Sequence, residues 1–468
     1  MAHKGRKSTI ALALAILAAL ILSGCGTPER PTQQSAAPPA AAPTAAAPAV
    51  ARTSDRLYIR ESYGDNSERL AVLDSASGAR EHELPIGVAA PDWSVIYTAK
   101  EIFTNSHYTT QVRAIDPKTG KTIRETTIDG GAYTLPMIGV NGTLGGLSPN
   151  GRWLVVEEAP GQVAGRWQSS MVVLDTAFAK PPRFLNFEFD GIYRFDGIND
   201  SGDGLYLIEY LSSGYSPKYQ VRFYDLAKGE LDPNVVVAKG EDAVMRGDRQ
   251  ISVPSSNGEW LFSLYTNENY GPFIHALNLN TRFAVCIDLP KDGKDDQEKQ
   301  AFWSLAMPPG GLTLYAANGA LNLVVELDTQ QLQIRRTAML PAPSASAGPL
   351  DRIARWLMPV AEAKPEHEPG AAGAVLSQDG KTLFVLGGHG LLAINTKDLT
   401  LRGRYLADRT LNSIALSPDD ARLYVTSPPQ SENDQSRIVQ LDSATGAVLV
   451  EISNSMGPMG VLRVEARR

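Results

Sequence analysis

Sulfur and imidazole are scarce in this chain. Among its 468 residues only Cys25 and Cys286 are cysteine, and six residues are histidine. Five histidines lie beyond the amino-terminal segment: His82, His107, His275, His367 and His389. None stands in a His-x-His or His-x-x-x-His spacing, so no zinc or copper site is written locally. Cys286 sits in the apolar run Phe283-Ala284-Val285-Cys286-Ile287, a setting for an inert buried thiol rather than a nucleophile or ligand. A Gly-x-Ser-x-Gly elbow, a P-loop and a dinucleotide fingerprint are all missing. The stretch from Asp292 to Glu298 lacks the ordered oxygen-ligand spacing of an EF-hand loop and reads as a solvated link. Glu366-His367-Glu368, in a Pro-flanked loop, reads as solvated too. The sequence therefore names no catalytic residue, no metal ligand and no cofactor.

Positive charge is also short. The formal net charge is −7, and removing Lys4, Arg6 and Lys7 makes it −10 (−7 − 3). An acidic body argues against nucleic acid and against a broad electrostatic grip on anionic lipid. The only long apolar run, Ile10 to Leu22, follows those three cations and is too short and wrongly flanked for a transmembrane helix. It ends in Leu22-Ser23-Gly24-Cys25, which resembles the lipobox of bacterial lipoproteins. The resemblance covers these four residues and their upstream context. It implies a signal peptide at 1–24, acylation of Cys25 as the new amino terminus, and a partner in membrane lipid. An ordinary secretory signal with a chance Cys is the other reading. Acyl chains anchor by burying methylenes, each worth about 0.8 kcal/mol. A lipidated Cys25 would leave Cys286 without a disulfide partner. The expected location is the bacterial cell envelope, lipid-anchored and extracytoplasmic. Pro28 to Ala49 is Pro, Ala, Gln and Thr with little charge, so 25–54 reads as a disordered tether.

The remainder, 55–468, is repetitive. A turn of the Ser-Pro-Asp-Gly kind precedes a short apolar strand, as at Ser148-Pro149-Asn150-Gly151, Asn199-Asp200-Ser201-Gly202, Ser256-Asn257-Gly258, Ser377-Gln378-Asp379-Gly380 and Ser417-Pro418-Asp419-Asp420. Each is answered by a strand ending in Asp or Asn: Asp74, Asp116, Asp175, Asp225, Asn278, Asp328, Asn395 and Asp442. These side chains can bond the backbone two residues on, which explains the spacing without any appeal to function. Repeats built only of strands define an all-β fold, the β-propeller, because one small sheet cannot bury both faces alone. The terminal Asp and Asn markers predict eight four-stranded blades, with seven as the alternative if two units merge. The first unit, at Leu57-Tyr58-Ile59, lacks an inner strand, and Gly460-Val461-Leu462-Arg463-Val464 can supply it. Pairing of that C-terminal strand with the first blade would close the ring.

Leu423-Tyr424-Val425-Thr426-Ser427, after Ser417-Pro418-Asp419-Asp420, resembles the YVTN-type repeat of WD40-like propellers, with Ser427 where the motif has Asn. Leu441 to Gly446 fits the same pattern. The match is good in the last unit, fair around Leu376 to Leu386 and degenerate elsewhere. The family has varied or unknown roles, so the resemblance implies fold rather than chemistry.

Short turns should occupy one face of the ring and longer connections the other. The long-loop face carries the candidate ligand- or partner-binding residues Tyr108, Trp167, Tyr215 and Tyr270, since aromatic rings on loops offer contact area at low entropy cost. The alternative is that these rings anchor their own loops. The link 341–372 holds Leu350, Ile353, Trp356 and Leu357 at helical spacing, predicting a short helix that caps the ring. The first functional expectation is a membrane-anchored lipoprotein whose long-loop face binds a protein, glycan or small molecule. The alternative is a propeller enzyme or accessory electron-transfer subunit of lactonase-like or amine-dehydrogenase-like kind. That would require His, Arg and Asp or Glu to meet at the channel mouth.

Overall fold

In the computed structural model the chain divides into two units, Met1–Ala51 and Arg52–Arg468. The structure describes residues 54–62, 67–139, 142–189, 191–212, 217–240, 242–266, 271–291, 297–342, 372–429, 434–454 and 457–467. Cys25 and the tether, Tyr215, Tyr270, the expected capping helix and Glu366-His367-Glu368 all lie outside the described residues.

Eight antiparallel sheets follow one another along the second unit. Their inner strands are Pro458–Ala466 (blade 1), Val88–Ala89, Tyr133–Thr134, Ile192–Ile198, Asp248–Pro254, Trp303–Ala306, Ala374–Leu376 and Ser413–Leu416 (blade 8). Blades 3 and 4 each carry one extra short strand, Gly161–Val163 and Met245–Arg246. One helical turn, Gln297–Gln300, precedes blade 6. The eight-bladed all-β propeller expected from the repeat is the observed fold.

The turns explain the repeat. In four blades a serine hydroxyl accepts the backbone N–H five residues on. The pairs are Ser148 with Trp153 at 3.1 Å, Ser255 with Trp260, Ser377 with Thr382 and Ser417 with Arg422, the last three each at 2.9 Å. Asn199 does the same with Gly204 at 3.1 Å. The following left-handed position is glycine in most blades, but Trp93 (φ 57°) and Asp420 (φ 58°) hold it in blades 2 and 8. On the next turn, Asp116 accepts the Lys118 N–H at 2.8 Å and Asp328 the Gln330 N–H at 2.8 Å, the bond expected of those carboxylates.

The core is not central. It is divided into eight apolar wedges, each shared by two neighbouring blades. The second and third strands therefore bury both faces: Val155 and Val173 pack against blade 4, while Leu154, Val156 and Val172 pack against blade 2. Outer strands such as Gln333–Met339 alternate instead, with one row of side chains turned to solvent. The last wedge joins blades 8 and 1. There Pro458–Ala466 pairs antiparallel with Asp55–Ser62, Leu57 opposite Val464 and Ile59 opposite Val461. The ring closes through its C-terminal strand, as the missing inner strand implied.

Candidate functional site

Blade 3 departs from the pattern in a way that shapes the channel. Its inner strand stops at Thr134 and resumes at Leu147, which bridges to Leu154. Between them the chain doubles back as a hairpin: the Ile138 N–H bonds the Thr143 carbonyl at 2.8 Å, and the Gly145 N–H bonds the Pro136 carbonyl at 2.8 Å. A Cβ placed on Gly142 would lie 2.7 Å from Arg60 Nη2 of blade 1, and one on Gly139 would lie 2.6 Å from the Gln250 carbonyl of blade 5. Blades 1 and 5 face each other across an eight-membered ring, so this hairpin crosses the axis. Its signal was present as Gly139-Val140-Asn141-Gly142 between apolar pairs, an Asn-Gly hairpin pattern.

A cavity of about 200 Å³ lies on the long-loop side of the hairpin, lined by Met137, Tyr210, Tyr219, Asp248, Arg249 and Tyr265 among others. Arg249 enters from the first turn-free residues of blade 5's inner strand, opposite Tyr265. Its Nη1 donates to Asp196 Oδ1 at 2.6 Å, and both side chains are almost wholly buried. Asp196 stands at a β-bulge. Phe195 pairs with Leu207 and Gly197 with Tyr206, leaving Asp196 outside the ladder. A bulge re-aims one side chain while the flanking register survives.

Around this pair the tyrosines stack. The Tyr219 and Tyr265 rings are 5.4 Å apart at 29°, and Tyr210 lies 6.1 Å from Tyr219. Burial raises the pKa of Tyr210, Tyr219 and Tyr265, so all three stay protonated donors at neutral pH. Among the described residues the hydroxyls of Tyr219 and Tyr265, Asp196 Oδ2 and His275 Nε2 are buried without a hydrogen-bond partner. Buried polar atoms are nearly always satisfied, so four orphans in one wedge mark a place built for polar contacts. His275 lies behind Tyr265, ring centroids 6.4 Å apart, and its Nδ1 is 3.7 Å from Cys286 Sγ. Burial pushes the His275 pKa down to about 4, which keeps the imidazole neutral. Cys286 is half-buried in that same wedge.

A second ion pair adjoins the first. Arg194 Nε donates to Glu157 Oε1 at 2.8 Å, and the Phe195 N–H donates to Glu157 Oε2 at 2.9 Å. Glu209 is held below the usual carboxylate range. Burial acts against this, but donation from Gln220 at 2.6 Å, Arg222 at 2.8 Å and Tyr193 at 2.9 Å outweighs it. Asp196, Glu157 and Glu209 are thus each answered by an arginine. Among the described residues no group of three or more metal-ligating side chains occurs, and no helix is long and apolar enough to cross a membrane.

Of the residues singled out from sequence, Tyr108 and Trp167 are described, and they sit elsewhere. Tyr108 is 46% exposed and packs on Phe103 at 4.5 Å. The expected loop around it is a two-strand hairpin, Ile96–Thr104 with His107–Ile115, turning through Asn105 and Ser106 at positive φ. Trp167 is half-buried and paired with Gln162 in the corresponding hairpin of blade 3. The structure does not bring Tyr108 and Trp167 to the cavity. The cavity residues escaped sequence reading because each looks like an ordinary strand residue. The one available signal was the density of tyrosine in the middle strands of blades 4 and 5, at Tyr206, Tyr210, Tyr219 and Tyr265.

No protein-family model matches the chain, and no curated protein matches it. Solved structures resemble it at low identity. The apo form of AztD from Citrobacter koseri is 15% identical with a TM-score of 0.47, the match covering 87% of this chain and 97% of that one. Dihydro-heme d1 dehydrogenase NirN in complex with DHE is 13% identical with a TM-score of 0.44, covering 86% of this chain and 74% of that one. The sheet order defines an eight-bladed β-propeller, with a tyrosine-walled cavity at the long-loop end of its axis.

Proposed function

We propose that this chain is a divergent YVTN-type propeller, lipid-anchored through Cys25 in the bacterial envelope, whose long-loop face binds a small, neutral, polar ligand. The orphaned hydroxyls of Tyr219 and Tyr265 beside the Asp196–Arg249 pair carry this reading. The buried charges Asp196, Arg249, Glu157 and Arg194 are already paired, so a charged ligand would add an uncompensated charge beside them. A ligand rich in hydroxyl or amide groups satisfies the orphans and stacks on the rings. At ~30 Å³ per water, about 200 Å³ holds roughly seven waters' volume, which sets the ligand's size. Strand Asp55–Ser62 begins at the short-turn end, beside Ser75, so the chain enters the ring on the side away from the cavity.

The enzyme reading has one observation in its favour: two acid–arginine pairs do converge near the channel mouth. It is the weaker reading, because the acids are engaged by their arginines and the neutral His275 stands behind Tyr265. The test is a thermal-shift screen of sugars, polyols and small amides on the full chain carrying Cys25→Ser, beside the same chain with Tyr219→Phe and Tyr265→Phe. A compound that raises the melting temperature of the first chain and fails on the second supports the site. Equal shifts in both chains, or none from the panel, would remove it. The anchor is tested apart: Cys25→Ser should move the protein from the membrane to the soluble fraction.

A further inference from the structure

Cys286 and His275 are cross-strand partners in blade 5. His275 lies on the third strand, Phe273–Asn278, and Cys286 on the outermost, Phe283–Asp288. Direct partners on adjacent strands project from the same face of a sheet. Here that face is turned to the wedge shared with blade 4. The two side chains meet, with His275 Nδ1 standing 3.7 Å from Cys286 Sγ. Local spacing does not join them, since they are 11 positions apart.

The imidazole is prepared as a ligand. It is 3% exposed, and burial lowers its pKa, so it is neutral at pH 7. Nε2 has no partner among the described residues. No bond on that side therefore fixes the tautomer, and Nδ1 can present its lone pair to the sulfur. The edge contact with Tyr265 holds the ring plane. Cys286 is only half-buried and sits on the outer strand, which gives an ion a short path from the rim of the blade.

The separation is that of two ligands on one ion. With bonds of about 2.3 Å to sulfur and about 2.0 Å to imidazole, two ligands stand roughly 3.5 Å apart at a tetrahedral angle and about 4.3 Å apart in line. The observed 3.7 Å lies inside that span. Ligand number and charge then choose the ion. Among the described residues no third His, Cys, Asp or Glu joins the pair, so a zinc tetrahedron is not built there. The nearby charges, Asp196 and Arg249, already neutralise each other. A monovalent ion replaces the thiol proton, Cys–SH + M⁺ → Cys–S–M + H⁺, and leaves the net charge of the wedge unchanged. A divalent ion would leave one positive charge uncompensated. Thiolate with imidazole, at low coordination number, suits Cu(I).

We infer that Cys286 and His275 form a binding site for one soft monovalent cation of the Cu(I) class, held by the thiolate sulfur and imidazole Nδ1. The inference does not rest on the small-molecule cavity.

The experiment uses the full chain with Cys25→Ser, in which Cys286 is the only thiol. Cu(I) is offered without oxygen as its bicinchoninate complex, whose colour fades as the protein takes the ion. One Cu(I) per chain should be withdrawn. X-ray absorption of the loaded protein should show one sulfur and one imidazole nitrogen on the copper. Cys286→Ser should abolish uptake. His275→Phe should weaken it at least tenfold while far-UV circular dichroism stays that of the parent. Equimolar Zn(II) should not displace the ion. The imidazole decides the matter, because a lone thiol also takes Cu(I) but leaves the nitrogen out. No uptake, a copper shell without imidazole, less than tenfold weakening in a folded His275→Phe chain, or displacement by Zn(II) would overturn the inference. If His275→Phe does not fold, the X-ray absorption of the parent decides.

Discussion

The Tyr424 hydroxyl donates to Asp55 Oδ2 at 2.7 Å across 369 positions of sequence, tying the second strand of blade 8 to the start of blade 1. Arg422 Nε stands 3.1 Å from the same oxygen. At the other end of the same wedge, Asn454 donates to the buried Glu61 at 2.7 Å. Closure therefore rests on an apolar wedge with a polar clasp at each end.

Cutting one clasp should weaken the ring without opening it. Tyr424→Phe removes a hydrogen bond to a carboxylate, a loss of about 1.5–3 kcal/mol, readable by urea unfolding. Deleting residue 458 onward removes the inner strand of blade 1 and should lower the melting temperature of the whole propeller. An unchanged melting temperature in the deletion would mean that the ring does not need its C-terminal strand.

Asp196 and Arg249 should show strong coupling. Arg249→Met leaves a buried carboxylate alone and should cost about 3–5 kcal/mol. Asp196→Leu combined with Arg249→Met removes both charges and should recover most of that loss. A double-mutant cycle on unfolding free energies measures the coupling, and additive losses would contradict a closed ion pair.

Tyr265→Phe should stabilise the unliganded protein, or at least not weaken it. Its hydroxyl is buried and has no partner among the described residues, and such an orphan costs roughly 1–3 kcal/mol. A loss of more than about 1 kcal/mol in the chemical melt would mean that the hydroxyl is satisfied in solution, and the ligand reading would lose its main support.

His275 makes stability fall with acidity in a definite window. Its folded pKa of about 4 lies below the ordinary 6.5. The unfolded chain therefore takes up a proton first as pH drops. The stabilisation is complete above pH 6.5 and declines as pH falls from there towards 4, by about 3 kcal/mol in all. Urea titrations at pH 7.5, 6 and 5 should show this decline, and His275→Phe should flatten it.

The axial hairpin is sterically tight where it meets blade 5. Gly139→Ala places a methyl 2.6 Å from the Gln250 carbonyl and should cost about 1–3 kcal/mol, because backbone must move. Gly161→Ala, with nothing within 4 Å, is the matched control and should be near neutral. Equal thermal melts for the two variants would place the hairpin away from blade 5.

The blades were legible because their signal is local. Ser148 and Asn150, or Asp116 and Lys118, make their turn bonds within a few residues, so spacing alone reports them. Even closure could be read, since a blade lacking its inner strand must borrow one. The cavity was not legible for the opposite reason. Asp196 and Arg249 are 53 residues apart, and the Asp196 bulge is a register slip that composition does not record. Tyr219 and Tyr265 look like ordinary strand aromatics until two blades are set side by side. Attention to exposed loop aromatics found Tyr108 and Trp167, which the structure places on two blade hairpins instead.

Because blade 1 is completed only by residues 458 to 466, the ring cannot close until those residues have been made. Until the last strand arrives, Leu57 and Ile59 face an unfilled wedge and the edge of Asp55–Ser62 lacks its partner. Every product cut short before residue 458 therefore carries the same unpaired, apolar strand.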